Sequence, residues 1–319
     1  MRFLGKGKVE VVEAPAPVPG ERQALVRIVT SAICGSEKHA LQAGMELNAG
    51  HEGAGVIESA PKDSGFAPGD RVGISAVAGC GQCAECEAGI ELRCEDLRIQ
   101  INMHAELVAA DVTSLRRIPD GLNWANAVLL TGDGLGVPVR ALRHVPERRG
   151  RRTLVLGLGP VGLSHVLVRS FLGEEVSGVD PFEERRALAM KLGASAAFGP
   201  GEAGRTYDLV IESSGVPESI KDAFVAVCAG GTVIQSGECS SVELDPSGML
   251  IRKEVRYIGS WFYASQDYPR MLELHESGMP SESLATDVFP GAEAQAAYDA
   301  FASGSSGKVL LNWNDDSPR

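Results

Sequence analysis

Residues 152–172 read RTLVLGLGPVGLSHVLVRSFL, and the fold follows from how this stretch changes rhythm. Thr153 to Leu156 is a short apolar run of the kind that forms a buried parallel strand. Gly157, Gly159 and Gly162 then break it, with Pro160 and Val161 among them, before apolar residues resume at helical spacing. Glycines here permit a tight turn, let backbone approach a pyrophosphate and bring helix close to strand, while the helix N-terminus offers free N–H groups to the anion. Alone, G-x-G-x-x-G is a weak motif, because a glycine turn serves many α/β domains. It gains weight from a second apolar run, Val176 to Val179, that ends in Asp180: 180 − 157 = 23, near the offset of about 20 at which an acid holds a ribose. Asp180 argues for NAD over NADP.

Downstream the pattern is βαβ throughout. Candidate strands are Thr153 to Leu156, Val176 to Val179, Ala196 to Phe198, Leu209 to Glu212, Thr232 to Ser236 and Tyr257 to Ser260, with helices at Phe182 to Leu192, Glu218 to Val227 and Asp267 to Ser277. Six strands with helical crossovers predict a doubly wound parallel sheet. The tail adds a helix, Ala292 to Phe301, and a strand, Lys308 to Leu311, detached from the six-strand unit and able to return to an earlier domain.

Upstream, the runs Lys8 to Val12 and Ala24 to Val29 flank a Pro-rich turn and read as antiparallel strands of a β-rich first domain; Gly55 to Glu58 is a further strand. The 319 residues suffice for two domains. A net charge of −12 disfavours nucleic acid and anionic membrane as partners. No apolar run approaches a membrane span and the first residues lack a signal-peptide h-region, so a cytoplasmic protein is expected.

Cys80, Cys83, Cys86 and Cys94 follow C-x2-C-x2-C-x7-C spacing. Four thiolates in one loop can enclose a tetrahedral Zn2+ with no open position, which makes this a structural site; two disulfides or an iron–sulfur cluster are the alternatives. Cys228 and Cys239 have no assigned role and read as buried thiols in or beside the sheet. A second concentration lies earlier, where Cys34, Ser36, Glu37, His39, His51 and Glu52 fall within residues 34–52. Cys34 and His51 are good zinc ligands but cannot fill a four-coordinate site, so a third protein ligand is needed. Asp133, ahead of a helix, is available either as that ligand or as an N-cap.

Taken together, CGSEKH at 34–39, GHEGAG at 50–55, GDRV at 69–72, the four-cysteine loop, GLGPVG at 157–162, Asp180 and GKVLL at 307–311 resemble the zinc-dependent medium-chain alcohol dehydrogenase family, particularly its polyol and sugar-alcohol branch. The resemblance implies an α/β chain with a Rossmann doubly wound parallel sheet plus a β-rich GroES-like catalytic domain. The expected domains are 1–127 (catalytic, with the zinc loop 80–94), 128–270 (dinucleotide-binding) and 271–319 (a return to the catalytic domain), with the active site in the cleft between them.

It further implies two zincs per chain. Cys34 and His51 are expected as catalytic ligands, and counting 24 residues back from the first glycine of the turn, 157 − 24 = 133, lands on Asp133 as the third, although Pro138 stands where the family often has glycine. Glu52 resembles an exchangeable or second-sphere ligand, and Glu37 the acid near the metal. Ser36 matches the hydroxyl that takes the alcohol proton, and His39 the relay toward solvent. The implied reaction moves a hydride between a secondary alcohol and NAD. A ketone reductase using NADH or NADPH and a non-catalytic zinc and dinucleotide-binding protein are the rivals. The partner is a small-molecule alcohol or ketone, and a homodimer or homotetramer is expected. Shortened stretches between Cys34 and His51 and after Cys94, with INMHAEL at 101–107 in place of a glycine-rich lead, suggest an open cleft for a polyol, modified sugar or aminocyclitol.

Overall fold

Six apolar runs separated by helices build one parallel sheet in the computed structural model, which describes residues 1–313. Its strands lie in the order Ala196–Phe198, Glu175–Val179, Arg152–Leu156, Tyr207–Glu212, Val227–Gln235 and Arg256–Gly259. Arg152–Leu156 pairs on both sides, Leu154 facing Ser177 on one neighbour and Val210 on the other. The strand order reverses at this point, which leaves the glycine turn at the carboxyl end of the first strand, where open α/β sheets bind ligands. Leu154, Leu156, Val210, Val233, Ile220 and Phe224 form its apolar core.

The helices Pro160–Phe171, Glu183–Lys191 and Pro217–Ala226 follow their strands as the crossovers require. Most boundaries shift from the sequence reading by a residue or two, and the largest shift is at Val227. Val227, placed at the end of a helix, instead starts a strand and pairs with Tyr207, and an irregularity follows before Leu209 meets Thr232. A β-branched residue ahead of Gly230 and Gly231 fits a strand with a bulge, a pattern that glycine disguises in sequence.

The helix Pro160–Phe171 is buried over most of its length and carries His165, which is fully buried with neither ring nitrogen paired among the described residues. Burial, and then the Arg169 guanidinium, push its pKa down to about 3. A histidine whose folded pKa is depressed contributes stability that is complete above its ordinary value near 6.5 and is lost as pH falls from there toward 3, by roughly 1 kcal/mol per pH unit. Stability against urea is therefore expected to fall between pH 7 and pH 5, and His165→Leu to flatten that decline; an unchanged slope in the variant would refute this.

The other sheet has seven strands. Ala285–Pro290, Lys308–Asn312, Gln23–Ala32, Gly53–Ser59, Arg71–Ile74 and Leu115–Arg117 follow in order, and Leu107–Asp111 also pairs with Gln23–Ala32. The tail strand joins this sheet directly, with Leu310 opposite Ala32. Lys8–Glu10, within the expected run Lys8 to Val12, is an antiparallel strand and makes a separate two-stranded sheet with Arg2–Gly5.

The chain divides into two compact units, Met1–Gly136 with Phe262–Ser303 and residues 308–313, and Val137–Trp261 with Gly304–Gly307. The sequence reading set its divisions at 127/128 and 270/271. The first observed division falls inside the helix Asp133–His144, between Gly136 and Val137 and just ahead of Pro138. Residues 314–319 of the expected C-terminal return lie outside the described residues. Among the described residues no helix is long and apolar enough to cross a membrane.

Candidate metal centre

Cys34 ends a buried apolar run that leaves the strand Gln23–Ala32, His51 and Glu52 immediately precede the strand Gly53–Ser59, and Asp133 is the first residue of a helix. These four side chains, distant in sequence, bring one potential ligand atom each within 4.8 Å of one another, and all four are buried. Asp133 Oδ2 stands 3.2 Å from His51 Nε2 and 3.7 Å from Cys34 Sγ. Zinc bond lengths of about 2.0–2.3 Å in tetrahedral geometry put ligand atoms roughly 3.3–3.8 Å apart, so the spacing fits such an ion.

Protonation sharpens this. His51 Nδ1–H donates to the Ala49 carbonyl at 2.9 Å, which leaves Nε2 as an acceptor facing a carboxylate oxygen. Two acceptors so close need a proton or a cation between them. In the metal-free chain, burial opposes a charged imidazole, but the Cys34 thiolate and Asp133 outweigh it and raise the His51 pKa well above the ordinary value. A divalent ion held there would satisfy the same demand in place of that proton.

Behind the cluster, Lys308 Nζ donates to Glu52 Oε1, and both side chains are fully buried. Glu52 Oε2 is buried with no partner among the described residues, an orphaned donor beside the other three ligands. On the other flank Glu37 Oε1 accepts the Cys34 backbone N–H at 2.9 Å, while Oε2 accepts from the Tyr298 hydroxyl and lies 3.1 Å from His104 Nε2. Burial pushes the Glu37 carboxyl up, yet His104 and His51 pull harder and bring it down to about 2. His104, Tyr298 and Lys308 escaped the sequence reading as parts of this site. The INMHAEL departure was the one local hint of His104.

Ser36 and His39 lie on the two short helical turns after Cys34, and both are exposed. Neither side chain hydrogen-bonds to a described residue, and the structure does not link one to the other.

The four loop cysteines also converge. Cys80 Sγ is 3.9 Å from Cys86 Sγ, and Cys83 Sγ is 3.8 Å from Cys94 Sγ. A tetrahedron with Zn–S bonds of about 2.3 Å has edges of about 3.8 Å. Backbone N–H groups of Cys80 and Gln82 donate to these sulfurs, and all four thiols are free of disulfides. Cys228 and Cys239 are half-buried rather than buried.

In the other unit, Gly157 adopts φ +85°, and a Cβ on Gly162 would sit 1.8 Å from the Gly157 carbonyl oxygen, so the turn and the close approach both require glycine. Gly159 caps the helix that begins at Pro160, with no side chain bonded to its N-terminus, and nothing lies within 4 Å of where its Cβ would be. That cradle fits a pyrophosphate. Asp180 carries a duty the sequence did not reveal: Oδ2 accepts the Leu158 N–H at 2.8 Å and Oδ1 the Phe182 N–H at 3.0 Å, which fixes the carboxylate against the turn.

Comparison with known proteins agrees with this picture. The alcohol dehydrogenase GroES-like domain matches residues 20–120 and the zinc-binding dehydrogenase domain residues 160–277. The chain is 28% identical to "Probable D-xylulose reductase A" of Arthroderma otae, covering 96% of this chain and 95% of that protein. It is also 28% identical to L-threonine 3-dehydrogenase of Shewanella baltica, over 98% of this chain and 100% of that one. The structure of alcohol dehydrogenase TADH from Thermus sp. ATN1 superimposes with a TM-score of 0.85 at 26% identity, covering 98% of this chain and 99% of that chain. With both domains matched and both cysteine-bearing centres assembled, the chain belongs to the zinc-dependent medium-chain alcohol dehydrogenase family.

Proposed function

We propose that this chain oxidises a secondary alcohol to a ketone with NAD as hydride acceptor, using one zinc held by Cys34, His51 and Asp133 and a second held by Cys80, Cys83, Cys86 and Cys94. The observation that carries the reading is the single oxygen, Asp133 Oδ2, that faces both Cys34 Sγ and His51 Nε2 inside a buried pocket of donors. When bound there, zinc supplies Lewis acidity to an alcohol oxygen, and NAD supplies the hydride acceptor.

The chain's own residues do the rest. A thiolate from Cys34 and a carboxylate from Asp133 would supply two negative charges to balance a divalent cation held there. Glu52, held through one oxygen by Lys308, keeps the other as a reserve donor. The exposed Ser36 hydroxyl takes the alcohol proton and His39 passes it toward water. Asp180, anionic and anchored to the turn, favours a ribose hydroxyl and repels a 2′-phosphate. The substrate class that suits this reading is a polyol, sugar or aminocyclitol-like secondary alcohol.

The test is a panel of such alcohols with NAD+ and NADP+, following reduced nicotinamide by absorbance. NAD+ is expected to be preferred. Asp180→Ser should lower kcat/KM with NAD+ by roughly 10–100-fold, the worth of one charge-assisted hydrogen bond pair, and should narrow the gap to NADP+. Equal turnover with either cofactor in the unaltered chain would refute the assignment.

A further inference from the structure

We infer that His104 is a positioning residue of the metal centre, one buried imidazole that ties together the two chain segments bearing Cys34 and His51. The inference rests on the reading of Cys34, His51 and Asp133 as metal ligands. His104 is fully buried, and both ring nitrogens are engaged: Nδ1 lies 2.8 Å from Ser31 Oγ and Nε2 3.1 Å from Glu37 Oε2. Ser31 in turn accepts from Trp313 Nε1 at 2.8 Å. Through Glu37, whose other oxygen holds the Cys34 N–H, the ring sits one carboxylate away from the first ligand's backbone.

Its opposite flank touches the second ligand's segment. A Cβ on Gly50, the residue before His51, would fall 2.4 Å from His104 Cδ2, so the ring occupies the space that this glycine leaves. The backbone of the same residue grips that loop. The His104 N–H donates to Asn48 Oδ1 at 3.1 Å and its carbonyl accepts from Asn48 Nδ2 at 3.1 Å; Asn48 Oδ1 also takes the Gly50 N–H, and the Met103 N–H donates to the Gly50 carbonyl at 2.9 Å. A planar ring with nitrogens on two edges bridges Ser31 and Glu37 while remaining flat enough to lie against Gly50. A phenyl ring could fill the space but would leave the Glu37 carboxylate and Ser31 without this partner. Because outer partners of metal ligands fix ligand orientation, loosening the imidazole should release the ion without unfolding the sheet.

The experiment uses the holoenzyme with cobalt exchanged into the metal sites, and three variants: His104→Phe, His104→Gln and Gly50→Ala. His104→Phe is expected to speed cobalt loss from the Cys34 centre to a chelator by roughly 10–100-fold, with an altered thiolate-to-cobalt absorption band and a larger fall in kcat than change in KM. Metal loss from the cysteine loop should keep its rate. Gly50→Ala, by displacing the ring, should reproduce the effect, and His104→Gln should recover part of it. If His104→Phe fails to fold, the other two variants carry the test. Wild-type rates and band in the variants, or equal acceleration at both centres alongside a general loss of thermal stability, would overturn the inference. A wild-type protein that takes up no metal at Cys34 would overturn the underlying reading and the inference with it.

Discussion

Asp133→Asn is expected to lose the metal from the Cys34 centre, keep the cysteine-loop metal and lower kcat/KM by roughly 10³-fold, the scale set by several kcal/mol of Lewis-acid stabilisation. The substitution preserves size and removes the charge on the oxygen that stands 3.2 Å from His51 Nε2 and 3.7 Å from Cys34 Sγ. Asparagine also separates the two roles open to this residue. It caps a helix N-terminus as well as aspartate does, so a purely capping role would leave both stability and turnover nearly unchanged. A carboxylate ligand, in contrast, cannot be replaced by a neutral amide without weakening the site for zinc. Metal content by mass spectrometry, read beside steady-state kinetics, distinguishes the two outcomes: two metals per chain with wild-type turnover would contradict the assignment.

The second large effect concerns stability. Lys308→Met should cost about 3–5 kcal/mol, because it leaves the Glu52 carboxylate in the interior without its cation. Burial alone would lower the Lys308 pKa; Glu52, and then Cys34 and Asp133, reverse this and raise it, which keeps the ammonium charged. Removing both charges in Lys308→Met with Glu52→Gln should recover most of the loss, since a buried pair replaced as a whole costs far less than a pair broken on one side. Urea unfolding of the two variants and the parent chain gives the comparison. A single variant within 1 kcal/mol of the parent would show that the pair does not hold the tail strand to this centre.

Much of this architecture was legible because its signals are local. The glycine turn at 157–162, the strand ending at Asp180 and the spacing of Cys80, Cys83, Cys86 and Cys94 each lie within one short window, and local geometry leaves little choice of partner. Cys34 and His51 were readable as metal-type residues, but Asp133 reached the site by resemblance, through its distance from the turn rather than through any property of its own neighbourhood. What could not be read is the buried shell that holds the ligands. Glu37 meets His104 across 67 positions and Tyr298 across 261, and Lys308 reaches Glu52 across 256. A fully buried lysine or histidine has no signature in sequence, since the same residue type is ordinarily a solvated surface group. Val227 was misplaced for a related reason: strand pairing is decided by partners elsewhere in the chain, and a short run does not name them.

The most direct test is X-ray diffraction of crystals at wavelengths on either side of the zinc edge. Two anomalous peaks per chain are predicted, one among Cys80, Cys83, Cys86 and Cys94 and one in contact with Cys34 Sγ, His51 Nε2 and an Asp133 carboxylate oxygen. A peak confined to the cysteine loop in zinc-replete, active protein would contradict the account.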